Sequence, residues 1–142
     1  MALDTGLRRS ELFRLTWDDI DFSEGRIQVR SNYSFKTGDF RVVYMTPRLR
    51  SLLAALASAK TGPNVLRKMD IKKTLYNAGD QIGFPGLHLH VLRHTCATKL
   101  LSRGIPLDQI QQWLGHKSIV TTQRYAKTRP DALKGAAAAL AD

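Results

Sequence analysis

Two hydrophobic periods alternate along the chain, and glycine, proline and side-chain caps mark where one gives way to the other. Leu7, Leu12, Phe13 and Leu15 recur at helical spacing, which predicts a short helix over residues 7–17, followed by the turn-forming Asp18, Asp19 and Asp21. Ser23-Glu24-Gly25 reads as a turn, and the strict polar/apolar alternation of Arg26-Ile27-Gln28-Val29-Arg30 predicts a half-buried strand. A second strand is expected over residues 41–45. Between them lies Lys36-Thr37-Gly38-Asp39, where Gly38 supplies the positive φ of a tight turn. This stretch reads as an antiparallel hairpin with Lys36 near its tip.

Thr46-Pro47 is a helix start, a capping side chain followed by proline at the first helical position, and Leu49, Leu52, Leu53 and Leu56 supply the apolar stripe. Thr61-Gly62-Pro63-Asn64 ends that helix. A further amphipathic helix is predicted over residues 65–82, carrying the pairs Arg67-Lys68 and Lys72-Lys73 until Gly83-Phe84-Pro85-Gly86 breaks it. Residues 91–103 read as helical with Gly104 as the stop, and Pro106 opens a helix that runs through Leu114 to Gly115. Ser118 caps a short helix reaching Tyr125. Residues 132–141, with six alanines and two leucines, form helix readily but carry little apolar bulk, as suits a frayed tail or a segment that docks elsewhere. The pattern predicts an α+β chain, mainly α-helical, with one small antiparallel hairpin.

Composition narrows the function. A chain of 142 residues, 43% hydrophobic, fits one folded domain and excludes a disordered basic tail. The net charge of +10 points to a polyanionic partner. That excess is uneven: residues 1–40 hold six Lys/Arg against seven Asp/Glu, residues 41–142 sixteen against five. Within the basic part the charges are interleaved with apolar residues, the pattern of a folded surface. There is no apolar run of about 18 residues to span a bilayer, so no membrane partner is expected. Met1-Ala2-Leu3-Asp4 lacks the plan of a signal peptide, and the single Cys96 forbids an internal disulfide, which together read as a cytoplasmic protein.

Candidate chemistry lies in four places: Arg8 within Thr5-Gly6-Leu7-Arg8-Arg9-Ser10-Glu11-Leu12, Lys36 on the hairpin, His90-Val91-Leu92-Arg93, and Leu114-Gly115-His116 nine residues ahead of Tyr125. Each is unremarkable alone, since a single surface arginine or half-buried tyrosine is ordinarily structural. In combination they resemble the tyrosine recombinases, or phage integrases. Residues 5–21 look like the family's opening motif. His90-x-x-Arg93-His94-Thr95-x-Ala97-Thr98, then Leu114-Gly115-His116 and Tyr125, resemble its second motif, with 23 residues from Arg93 to His116.

The resemblance covers nearly the whole chain and implies the catalytic domain of these DNA breaking-rejoining enzymes over residues 1–130, with residues 131–142 as a tail that packs on a neighbouring protomer. It implies Tyr125 as nucleophile, Arg8 and Arg93 as phosphate-binding arginines, Lys36 as general acid, His90 and His116 as further pocket members, and Glu11 as the acid that orients the pocket. Lys60 and Arg41 stand as alternatives to Lys36, because hairpin lengths vary. The implied partner is double-stranded DNA, held by a tetramer on paired sites in the full-length protein. The family's opening motif normally follows an N-terminal DNA-binding domain, so this chain is expected to be a truncated catalytic portion with weak, salt-sensitive binding.

Elementary chemistry agrees with these roles. Attack on a phosphodiester builds negative charge on non-bridging oxygens, which two guanidiniums meet with forked hydrogen bonds that lysine does not reproduce. A tyrosine hydroxyl with an ordinary pKa of about 10 needs a base or a positive field to react at neutral pH. The leaving 5′ oxygen needs a proton, the task of a general acid. The chemistry requires no cofactor, neither ATP nor metal. His88, His90, His94 and His116 invite a metal reading, but no familiar zinc pattern is completed; His88 reads as surface and His94 as structural support. Trp17, Trp113 and Cys96 read as packing. Arg67, Lys68, Lys72 and Lys73 read as phosphate contacts that position a duplex without reading its sequence. Two other functions compete: a basic DNA-binding module without catalysis, and a topoisomerase-like nicking and relaxing activity.

Overall fold

The first expected helix is shorter than residues 7–17, and a helical turn that the sequence pattern does not predict precedes it and ends at Gly6, at φ 63°. The computed structural model describes residues 1–30, 40–67, 71–117 and 119–126, and in it α1 (Ala2–Thr5) ends at Gly6 while α2 (Arg9–Arg14) begins after the extended Arg8. The turn at Gly6 has a packing cause: a Cβ there would lie 2.5 Å from Leu114 Cδ2, so glycine lets this turn approach the later helices. A 3₁₀ turn, Trp17–Asp19, follows, in which Asp19 Oδ2 accepts from the Thr16 backbone N–H at 2.9 Å and from its hydroxyl at 2.8 Å.

The sheet has three antiparallel strands in the order β1 (Ile20–Asp21), β2 (Arg26–Arg30) and β3 (Phe40–Tyr44). Strand β2 has the predicted bounds, β3 sits one residue earlier than expected, and the two-residue β1 was not predicted, being too short to show a period. Ile27 pairs with Val43, and both are fully buried, as the alternation requires. The connection carrying Lys36 lies outside the described residues.

Helix α3 (Pro47–Ser58) starts as predicted, Thr46 Oγ1 accepting from the Leu49 N–H at 3.2 Å. Leu49 and Leu53 are buried, whereas Leu52 is exposed and takes no part in the stripe. The expected helix over 65–82 is shorter: α4 spans Ile71–Gln81. Residues 63–65 are committed elsewhere, because the Pro63 carbonyl accepts from the Trp17 N–H and the Val65 N–H donates to the Leu15 carbonyl, each at 2.9 Å. Arg67 therefore stands in a non-helical segment and does not share a helix with Lys72 and Lys73, while Lys68 lies outside the described residues.

Helices α5 (Leu89–Ser102) and α6 (Leu107–Leu114) end at the predicted glycines, and α7 (Ile119–Ala126) follows. Ser118 and the residues from 127 onward lie outside the described residues. One core gathers Leu7, Leu12 and Leu15 with the inner faces of the sheet and α3; a second joins Ala97, Ile110 and Leu114. Trp113 packs against both, and Trp17 against the first, which is the packing role expected of them. Buried Cys96 has its thiol pushed up to about 11, first by burial and then by the charge of Asp4, so it stays a neutral packing group. Among the described residues no helix is long and apolar enough to cross a membrane, and no three metal-ligating side chains converge.

Candidate functional site

The two cores meet where α2 begins and α6 ends, and the buried charged residues Glu11 and Arg93 lie at that junction. Glu11 is almost fully buried, and its carboxylate takes a forked pair of hydrogen bonds from Arg41, Nη1 to Oε1 at 2.8 Å and Nη2 to Oε2 at 2.9 Å. It also accepts from the Arg8 backbone N–H at 2.8 Å and from Arg8 Nη1 at 3.3 Å. Burial by itself raises such a carboxyl, but the hydrogen bonds and charges of Arg41 and Arg8 outweigh it and hold Glu11 below its ordinary value.

Both sequence-identified arginines are anchored on the last carbonyls of α6. Arg8 Nη2 donates to the Gly115 carbonyl at 3.3 Å. Arg93, buried on α5, donates through Nη2 to the Leu114 carbonyl at 2.8 Å and through Nη1 to the Gly6 carbonyl. The unpaired C-terminal carbonyls of a helix, with the negative end of its dipole, suit this task. Gly115, at φ 68°, keeps the turn open: a Cβ there would sit 2.7 Å from Arg41 Nη1. Among the described residues, Arg41, Arg8 and Arg93 bring three guanidiniums to this junction beside the Glu11 carboxylate, a field that attracts an anion.

His116, next after Gly115, has Nδ1 2.8 Å from the hydroxyl of buried Thr122 on α7. Its pKa is lowered to about 4, first by burial and then by the charges of Arg93, Arg8 and Arg41, so the ring is neutral at pH 7. His90 is exposed on the first turn of α5, its ring stacked on that of His88 with centroids 6.5 Å apart. His88 Nδ1 lies 2.7 Å from the Gly86 carbonyl.

Arg8, His90, Arg93 and His116 all line one cleft of about 680 Å³, together with His88, Lys72 and Thr121. Its other wall is apolar, made by Leu7, Ile71, Leu75 and Leu89 with Tyr76. His88, read from sequence as surface, thus belongs to the cleft, while exposed His94 does not line it. Lys68 lies outside the described residues; of Arg67, Lys72 and Lys73, the other basic residues proposed for duplex contact, only Lys72 lines the cleft. Lys73 is on α4 outside it. Arg67 donates to Thr61 Oγ1 at 2.7 Å and borders a separate groove with Phe13, Pro63 and Asn64. Position 125 falls in the last turn of α7, four residues after Thr121. Lys36 lies outside the described residues. Of its alternatives, Arg41 is engaged with Glu11 and the Trp113 carbonyl, which leaves it no part as a mobile proton donor, and Lys60 does not line the cleft. Sequence reasoning missed Arg41 as a member of the cluster, because its partner is 30 positions away.

The sequence profile of the phage integrase family matches residues 1–131. Tyrosine recombinase XerA of Saccharolobus solfataricus is 39% identical over 139 residues, covering 94% of this chain and 46% of the relative. Tyrosine recombinase XerC of Mycobacterium leprae is 34% identical over 140 residues, covering 88% and 46%. The chain thus spans about half the length of the curated relatives it matches. Among solved structures, the crystal structure of XerA recombinase superposes with a TM-score of 0.78 at 28% identity, over 99% of this chain and 56% of that one. The catalytic domain of bacteriophage HP1 integrase gives 0.72 at 28% identity, over 96% and 76%. The Tn1549 transposon integrase in complex with transposon right end DNA shares the fold, with a TM-score of 0.82 at 20% identity over 99% and 56%.

Proposed function

The chain belongs to the phage integrase family, and from that membership we propose that it is the catalytic portion of a site-specific DNA recombinase that cuts and rejoins strands through a 3′-phosphotyrosyl intermediate on Tyr125. The observation that carries this reading is the convergence of Arg8, His90, Arg93 and His116, from separate parts of the chain, on one cleft with an excess of positive charge. Position 125 lies one helical turn beyond Thr121, which lines that cleft.

In this reading the scissile phosphate sits against Arg8 and Arg93. Anchorage of both guanidiniums on rigid carbonyls means that little reorganisation is needed when charge builds on the non-bridging oxygens. The neutral His116, its Nδ1 satisfied by the Thr122 hydroxyl, donates through Nε2 to one of those oxygens. His90 takes the phenolic proton as the Tyr125 oxygen attacks phosphorus. The bond from phosphorus to the 5′ oxygen breaks, and Lys36 delivers the proton that makes this oxygen a hydroxyl. The 3′ phosphate stays on tyrosine until the 5′ hydroxyl of another strand displaces it, so the bond energy is conserved and the strand is rejoined without cofactor.

Double-stranded DNA is the proposed partner, with paired sites held by a tetramer of the full-length protein. The relative bound to transposon end DNA supports that choice of partner. Residues 1–130 form the catalytic unit in this proposal, and the tail 131–142 docks on a neighbouring protomer. The test is a duplex nicked beside the cleavage site, from which the short 5′-terminated fragment escapes and traps the enzyme on DNA. The wild-type chain is expected to give a covalent adduct that Tyr125→Phe abolishes. Binding without adduct would instead establish a DNA-binding module with no catalysis.

A further inference from the structure

The structure assigns Arg41 a role that rests on the recombinase reading and extends it: we propose that Arg41 is the positioning residue that sets the charge and orientation of Glu11, and through Glu11 the place of Arg8 in the phosphate pocket. Arg41 occupies a strand, β3, with no other claim to the cleft, and does not line it. Yet its side-chain hydrogen bonds to described residues run to the groups that hold the pocket: both carboxylate oxygens of Glu11, and the Trp113 carbonyl, which its Nε reaches at 2.8 Å. Gly115, whose carbonyl holds Arg8, has no Cβ where one would strike the Arg41 guanidinium. One planar cation thus braces the acid that grips Arg8 and the turn that grips it from the other side.

Charge explains why the brace is needed. Glu11 touches Arg8 twice, by the backbone N–H and by Nη1. A buried carboxylate with Arg8 as its one cationic partner would draw that guanidinium into a full ion pair, in competition with the scissile phosphate. Because Arg41 takes the forked geometry, Arg8 reaches Glu11 through only one nitrogen at 3.3 Å and keeps its second contact on Gly115. A lysine at position 41 would keep the charge and lose the fork, so it would not fix the carboxylate plane. The same arrangement fastens the strand that follows the Lys36 connection to the end of α6.

The experiment uses the full chain and the nicked duplex. Arg41→Lys is expected to slow adduct formation between about tenfold and a hundredfold while shifting the duplex Kd by less than about threefold. Glu11→Gln and Arg41→Met/Glu11→Gln are expected to form adduct at rates within about threefold of one another, because Arg41 acts through Glu11. A structural role exerted through the Trp113 carbonyl alone would make the double variant slower still. Arg41→Lys at the wild-type rate, or a double variant at least tenfold slower than Glu11→Gln, overturns the inference. If the wild-type chain forms no adduct, the recombinase reading fails on its own, and the inference is then judged by the Arg8 guanidinium resonance in nitrogen-15 NMR of the free protein. Arg41→Lys is expected to shift that resonance, and an unmoved signal overturns the inference.

Discussion

Arg93 donates to the Leu114 carbonyl at 2.8 Å, so a buried cation on α5 is held by the end of α6. Carbonyl dipoles fix a guanidinium in place without cancelling its charge, so an incoming phosphate meets a cation that has little freedom left to lose. Arg8 shares the device at the next carbonyl, and Glu11 offsets only part of the local charge.

Burial, and after it the field of these arginines, should be visible in His116. Its imidazole is expected to titrate near pH 4 in the free protein, against about 6.5 for an ordinary histidine. Since the unfolded chain binds this proton more readily than the folded one, the contribution of His116 to stability is present above about pH 6.5 and is lost as the pH falls toward 4. Histidine NMR titration checks the midpoint, and thermal melts of His116→Gln should fall less steeply over that window than those of the wild type. A midpoint at 6 or above would contradict the burial of the ring beside the arginine charges.

Gly6 and Gly83 separate two effects of replacing a glycine. Both have positive φ, 63° and 70°, but a Cβ at Gly6 would meet Leu114 Cδ2 at 2.5 Å, whereas at Gly83 nothing lies within 4 Å. Gly83→Ala is expected to destabilise by about 1 kcal/mol, from backbone strain alone. Gly6→Ala adds overpacking, for a total of about 2–4 kcal/mol. Urea denaturation of the two variants gives the comparison, and equal losses would contradict the close approach of the α1 turn to α6.

Lys72 and Arg67 should differ in the salt dependence of duplex binding. Lys72 lines the cleft, while Arg67 borders another groove and is bonded to Thr61. Lys72→Ala is expected to lower the slope of log Kd against log salt by about 0.9, the equivalent of one phosphate contact. Arg67→Ala should leave the slope unchanged within error. Fluorescence anisotropy across a salt series measures both.

Much of this arrangement was readable in the amino-acid order, for local reasons. Thr46-Pro47, Gly104 and Gly115 punctuate helices by their own backbone preferences, and the alternation through Arg26-Ile27-Gln28-Val29-Arg30 is a strand's own signature. The motif residues Arg8, His90, Arg93 and His116 were named together and line one cleft. What escaped was long-range. The bonds that take residues 63–65 out of α4 are made to Leu15 and Trp17, and nothing local marks Val65 as anything but the first residue of a helix. The turn at Gly6 reflects contact with Leu114, and the pairing of Arg41 with Glu11 closes across 30 positions. The placing of His88 in the cleft escaped for a different reason, since it depends on the course of the chain around Gly86.

The proposal makes Tyr125 the residue that becomes joined to DNA, and Tyr76, which lines the cleft, is the tyrosine it has to be told apart from. The most direct measurement is mass spectrometry of the peptide left carrying nucleotide after the nicked-duplex adduct is digested with protease and nuclease. The account predicts the nucleotide on the peptide containing Tyr125, attached through the phenolic oxygen. A modification on Tyr76, or no modified peptide from a chain that binds the duplex, would contradict it.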